Sequence, residues 1–289
     1  RFWSRVEQDP TIIEDKAKLD PFRGAKERRI ISDTMEGSDI EVLAGLNAIE
    51  NSGLTKENIE ALFCHSLLPD RIVPLNACHV QHKMGLSHVP SWTIDAVCGS
   101  FVTQMVMACN LIYNQEYKNI LGTMSAIYSR TVNFEKTQSV FVGDASGATV
   151  FGEVKQAYGY IGHASMSFGE YHDGIVTAPP HGRPDGLHWY DYHESTIETV
   201  IINYQSAKAF GELWKPVCKQ VTDKLFEKTG YTAKDIDLVI TTQGGAWCLP
   251  DTLLALSLDP SKGFDTFEKY ANIGGAAIPI NLLEARNTK

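Results

Sequence analysis

The sequence predicts an α/β protein made of two similar halves, each a parallel-rich sheet with helices packed on it. Three observations lead there. Residues 54–63 (LTKENIEALF) recur as residues 231–240 (YTAKDIDLVI), an offset of 177 positions between Leu54 and Tyr231. The same offset pairs Gly53 with Gly230, each standing where a helix stops and a left-handed residue is wanted. Carried on without a gap, it pairs residues 95–99 (DAVCG) with 272–276 (NIGGA), and in both copies an extended run there turns into an apolar helix. Two such units place matching helix N-termini side by side about a pseudo-two-fold axis, so that Cys98 and Asn272 face each other across the halves.

In chain order, a helix over 41–51 ends at Gly53, and a short polar turn leads into a buried strand. A β-branched run ends at Cys98, and an apolar helix follows over 101–113. Strands are expected at 119–124 and 148–154, with Asp144 and Gly147 in the turn between them because tight turns select Asp and Gly. The Gly/Pro-rich stretch 169–193 reads as a long loop of the kind that forms lids and substrate walls. A helix over 214–228, Gly230 and a second buried strand then repeat the opening pattern. The halves divide at 1–155 and 156–289. Residue 289 corresponds to 112 in the first copy, which continues through two further strands, so about forty more C-terminal residues and an N-terminal strand are expected outside this stretch, assuming copies of equal length.

Composition narrows the function. Of 289 residues, 43% are hydrophobic, enough for one large core or two smaller ones. Acidic residues outnumber basic ones, 35 to 26, for a formal charge of −9, which argues against nucleic acid because that affinity rests on Lys and Arg. No run of 18 apolar residues occurs, so no membrane span is expected. The chain opens RFWSR without an initiator Met or a secretory pattern. Six cysteines without a C-x-x-C pair read as reduced thiols of a cytoplasmic protein, with no metal site expected.

Cys98 stands out. It lies at the join between an extended run and a helix, where the positive end of the helix dipole is expected to lower a thiol pKa and favour the nucleophilic thiolate. Gly99 and Ser100 leave room for a substrate. Cys109, further along the same helix, is assigned to packing.

At this point DAVCGSF (95–101), YKNIL (117–121), FVGDASGATVF (141–151) and YANIGGAAIPINLLEA (270–285) together resemble the β-ketoacyl-ACP synthase III family of condensing enzymes. The resemblance implies a thiolase-like five-layered αβαβα sandwich made of two duplicated halves. It implies that Cys98 accepts an acyl group from a thioester and that Asn272 is the active-site asparagine. The family's histidine opens a P-H-Q-A-N stretch, whereas here residues 240–245 read ITTQGG, so Thr242 occupies the histidine position and Gln243 is retained. A threonine hydroxyl donates a hydrogen bond but cannot act as a base near pH 7, so decarboxylative condensation should be crippled while acylation of the cysteine survives. A base for onward transfer is sought among His65, His172, His181, His188 and His193. His65 is the repeat partner of Thr242.

The basic cluster at 23–29 aligns with the family's entrance, which implies that Arg23, Arg28 and Arg29 meet the phosphates of CoA or of a carrier-protein arm. The adenine-stacking tryptophan of the family falls on Lys18. The stretch 246–253, where the family docks its carrier protein, has no Lys or Arg. Residues 74–81 resemble the family's dimer segment, implying a homodimer or a paired related subunit. Three functions follow: an acyltransferase that passes the Cys98-bound acyl group from an acyl-CoA or acyl-carrier thioester to a small acceptor, in fatty-acid, polyketide or specialised biosynthesis; a decarboxylative condensing enzyme with a surrogate histidine; or a non-catalytic partner of an active ketosynthase. No cofactor is implied beyond the CoA or phosphopantetheine thioester that serves as substrate.

Overall fold

The computed structural model describes residues 24–156, 158–178 and 197–288. Helix α1 (Gly37–Ser52) opens with a reciprocal cap between Glu36 and Asp39 and stops at Gly53, whose φ of 74° is left-handed. Strand β1 (Ala61–Ser66) follows, then α2 (Asn76–Met84), β2 (Ser91–Thr93), α3 (Ser100–Tyr113), β3 (Asn119–Ile127) and β4 (Asp144–Gly152). They form a sheet of order β2-β1-β3-β4, parallel except for β4 against β3. The two-residue period of β1 sends Leu62 and Cys64 into a core with Ile49 of α1 and Val80 and Met84 of α2. Ala61 and Phe63 point the other way, to Phe101 and Ala108 of α3. Burying each large side chain contributes about 1.5–3 kcal/mol, so both faces of the strand are covered by helices.

The second half begins with an antiparallel ribbon of β5 (Ile175–Ala178) and β6 (Glu198–Ile201). Helix α4 (Tyr204–Thr229) ends at Gly230, with φ of 77°. Then come β7 (Val239–Ile240), α5 (Cys248–Ala255), β8 (Gly263–Phe264), α6 (Phe267–Tyr270) and α7 (Ala277–Thr288), with β7 and β8 parallel. Helix α7 touches β4 on one side and β7 on the other, making a central layer with α3, while α1 and α2 cover one sheet and α5, with α4 packed against it, covers the other. The result is the expected five-layered αβαβα sandwich.

The duplication is visible in the backbone. Short 3₁₀ turns at Lys56–Asn58 and Ala233–Asp235 carry matching capping boxes, Thr55 with Asn58 and Thr232 with Asp235. The turns Val97–Gly99 and Gly274–Ala276 precede helices that begin at 100 and 277. Each pair is separated by the offset seen in the sequence. The left-handed residue recurs too, with φ of 51° at Val97 and 55° at Gly274.

Three expectations are corrected. Helix α4 starts at Tyr204, not at 214, because Asn203 accepts from the backbone amides of Gln205 and Ser206 and caps it there. Strand β4 spans Asp144–Gly152 instead of 148–154, so Asp144 and Gly147 lie inside it and not in a turn. Asp144 instead accepts from the amides of Ile31 (2.8 Å) and Ser129 (2.9 Å) and clasps the end of β3. Gly147 is small because a Cβ there would come 2.7 Å from Pro279 Cγ of α7. Arg23, Lys18, His181, His188 and His193 lie outside the described residues.

Candidate active site

The turn Val97–Gly99 delivers Cys98 to a cavity of about 760 Å³ whose wall is drawn from both halves. Val97, Cys98 and Tyr128 come from the first half, Gly244 and Asn272 from the second, and α4 contributes Phe210, Leu213 and Trp214. The wall is largely apolar. Burial pushes the Cys98 thiol above its ordinary pKa, against weaker pulls downward from the hydroxyls of Thr242 and Tyr128 and from its own backbone amide. The shift runs opposite to the expected lowering, and desolvation by the apolar wall is its largest cause.

Asn272 is held from both sides. Its amide donates to the Phe141 carbonyl (2.9 Å) and its carbonyl accepts from Gly143 N (2.9 Å), a short parallel bridge that ties the second half to the first. Its side-chain Oδ1 accepts from Gly274 N at 2.9 Å, which leaves Nδ2 as the donor facing the Tyr128 hydroxyl. Buried Gln243 supports this loop from behind: it donates to the Ala271 carbonyl and accepts from Asn281 Nδ2 (3.0 Å). Ala271, at φ of 59°, is thereby kept in a conformation that L-residues rarely adopt.

Thr242 reaches the thiol. Its Oγ1 is buried, faces Cys98 and forms no geometrically good hydrogen bond. Tyr128 was not singled out from the sequence. It follows the last residue of β3, is 8% exposed, and turns its hydroxyl toward Cys98 and Asn272. Gly274 packs beside it: a Cβ there would be in ordinary contact with the Tyr128 hydroxyl oxygen at 3.4 Å and tight against Ala126 Cβ at 3.1 Å. The phenol pKa is pushed far up, first by burial and then by Cys98, so Tyr128 stays protonated.

His65 lies elsewhere. It is 2% exposed, within β1, packed against Gly275 rather than on the cavity wall. Its Nδ1 is 3.3 Å from Asp95 Oδ1, yet neither ring nitrogen makes a hydrogen bond. Burial lowers its pKa, and Asp95 raises it by less. His172 is exposed, and no histidine among the described residues lines the cavity. The arginines stand apart as well: Arg28 donates to the Ser139 carbonyl and lies over Phe134, while Arg29 pairs with Glu27 at 2.9 Å and lies over Tyr270.

Comparison with known proteins points to one family. Residues 93–168 match the family model of 3-oxoacyl-[acyl-carrier-protein] synthase III, and residues 226–289 match the model of that family's C-terminal part. Over these stretches the chain is ketosynthase III-like. The β-ketoacyl-[acyl-carrier-protein] synthase III 1 of Bacillus cereus is 29% identical to this ketosynthase III-like chain over 265 residues, 90% of this chain and 77% of that one. Among solved structures, the 3-oxoacyl-[acyl-carrier-protein] synthase III of Aquifex aeolicus shares the fold with a TM-score of 0.79 at 23% identity, covering 92% of this chain and 80% of that one. OleA of Xanthomonas campestris does so with a TM-score of 0.78 at 17% identity, covering 99% and 83%. The structure of this ketosynthase III-like chain thus joins Cys98, Asn272 and Tyr128 in one cavity, buries the Thr242 hydroxyl beside Cys98, and keeps His65, Arg28 and Arg29 off its wall.

Proposed function

We propose that this chain is an acyltransferase in which Cys98 takes an acyl group from an acyl-CoA or acyl-carrier-protein thioester and passes it to a small acceptor in fatty-acid, polyketide or specialised biosynthesis. The observation that carries this reading is the convergence of Cys98 and Asn272 on one largely apolar cavity, with the Thr242 hydroxyl buried beside the thiol. An apolar wall suits an acyl chain, and hydroxyl and amide donors suit an oxyanion. Thr242 supplies no imidazole. Losing one well-placed donor at a developing oxyanion costs roughly 10²–10³ in rate, so decarboxylation of a malonyl thioester falls behind simple acyl transfer.

Decarboxylative condensation is the second reading, favoured by the Asn272 Nδ2 donor turned into the site and by the names of the relatives. Its surrogate histidine has to come from outside the cavity wall formed by the described residues. A non-catalytic partner of a heteromeric ketosynthase is the third, and Thr242 is what favours it. Donor phosphates can engage Arg28 and Arg29 once these exchange their present partners. A dimer through residues 74–81 would cover the exposed side chains of Ile72, Val73 and Leu75.

Intact-protein mass spectrometry after incubation with a panel of acyl-CoA and acyl-carrier thioesters tests the reading. An acyl adduct on wild type that is absent from Cys98→Ala supports it. No adduct across short, long and aromatic acyl groups rejects it. Release of CO₂ from a malonyl thioester at a rate matching adduct turnover would favour condensation instead, and a hetero-oligomer that stays fully active with Cys98→Ser would favour the partner role.

A further inference from the structure

The site leaves a chemical gap. Its nucleophile is a thiol that burial holds neutral, and among the described residues no imidazole or cation lines the cavity to receive its proton or hold its charge. A thiolate formed there has to be held by neutral donors. Thr242 is short, and its hydroxyl is not seated in a good hydrogen bond. Tyr128 reaches further. It rises from the end of β3 beneath the cavity, and its hydroxyl sits against Gly274, close enough that a Cβ there would be 3.4 Å away.

We infer that Tyr128 is a catalytic residue of this chain, the hydroxyl donor that holds the Cys98 sulfur as a thiolate where an imidazole is missing. The arrangement that supports this is a chain of donors with one direction. Gly274 N donates to Asn272 Oδ1. That fixes the amide so that Nδ2 faces the phenol oxygen, and the phenol hydrogen is left to point at Sγ. The titratable groups facing Cys98 are Tyr128 and Cys248. Both stay neutral near pH 7, Cys248 because burial pushes it up to about 11.

The step balances without a base. Sγ forms a bond to the carbonyl carbon of the donor thioester, the bond from that carbon to the donor sulfur breaks, and the departing sulfur takes the proton given up by Cys98. Tyr128 keeps its own proton throughout and acts as donor only.

This inference rests on the acyltransfer reading for its purpose but not for its test. The full chain and its Tyr128→Phe and Thr242→Val variants are alkylated with iodoacetamide from pH 6 to 10, and the modification of Cys98 is followed by peptide mass spectrometry. Loss of a hydrogen bond to the charged form is expected to raise the alkylation midpoint of Tyr128→Phe and to slow modification at pH 7.5 by about three- to tenfold. Thr242→Val should change it by less. A midpoint and rate within twofold of wild type in Tyr128→Phe overturn the inference. Incorporation of 3-fluorotyrosine at position 128, a stronger donor of nearly the same shape, should move the midpoint down, and an unmoved midpoint there overturns it equally. A shifted midpoint with no acyl adduct on the wild type leaves Tyr128 standing and rejects the acyltransfer reading; an adduct with an unshifted midpoint does the reverse.

Discussion

The two turns that meet at the centre of the molecule share a backbone and differ in every side chain that matters. In the first, Asp95 Oδ1 accepts from Val97 N at 2.8 Å, and in the second Asn272 Oδ1 accepts from Gly274 N at 2.9 Å. Both place a left-handed residue next and a helix after it. Cys98 occupies the following position in one turn, and Gly275 in the other. Opposite them stand the strand-end residues, with Thr242 facing Cys98 and His65 packed on Gly275. The imidazole therefore faces the turn that carries glycine, and the proposed nucleophile faces a threonine. Duplication supplied the scaffold twice, and chemistry resides where the side chains diverged.

Moving the imidazole across should have the largest effect. Thr242→His puts a ring beside Cys98, and CO₂ release from a malonyl thioester should rise by roughly 10²–10³-fold. An unchanged rate would show that the threonine is not what separates this site from a condensing one.

Exchanging the left-handed residues comes next. Gly274→Val places a β-branched residue at φ of 55°, with its Cβ 3.1 Å from that of Ala126. Left-handed strain of about 1–2 kcal/mol and overpacking of about 1–3 kcal/mol should together lower stability by roughly 3 kcal/mol in urea unfolding. A midpoint close to wild type would mean that the second turn is looser than its hydrogen bonds imply.

The His65 side is read through pH. Its pKa is lowered in the fold, so the unfolded chain takes up a proton first as pH falls below about 6.5. Wild-type stability should then decline from that point downward, and His65→Leu should decline less over the same range. Parallel melting curves for the two proteins between pH 7.5 and 5 would remove His65 from the account. The smallest effect belongs to Val97→Gly. Relief of left-handed strain and the added freedom of the unfolded chain nearly cancel, so the change should stay within about 1 kcal/mol.

Much of this was legible in the sequence because it is local. Gly53 and Gly230, the two capping boxes and the 95–99 and 272–276 turns are short-range features, and each leaves residues of fixed type at fixed spacing. Thr242 was placed at the histidine position by the resemblance, from the retained Gln243. What depends on packing was not legible. The Cys98 pKa follows from an apolar wall drawn from distant segments, so a local helix-end argument gave the wrong sign. Tyr128 is one tyrosine after a strand, and its place beside Cys98 and Asn272 arises when distant segments pack together. The start of β4 was misplaced because Asp144 looks like a turn residue until its partners Ile31 and Ser129 are seen.

The bridge between Asn272 and residues 141–143 has a mechanical meaning. One residue is both a seam stitch between the halves and the holder of the proposed active-site amide, so the seam cannot open while that arrangement stays intact. Slow hydrogen exchange at Gly143 and Asn272 would then serve as a gauge of catalytic readiness, since both amides exchange when the halves part. Activity in such a molecule reports on the docking of its two halves before either sheet begins to melt.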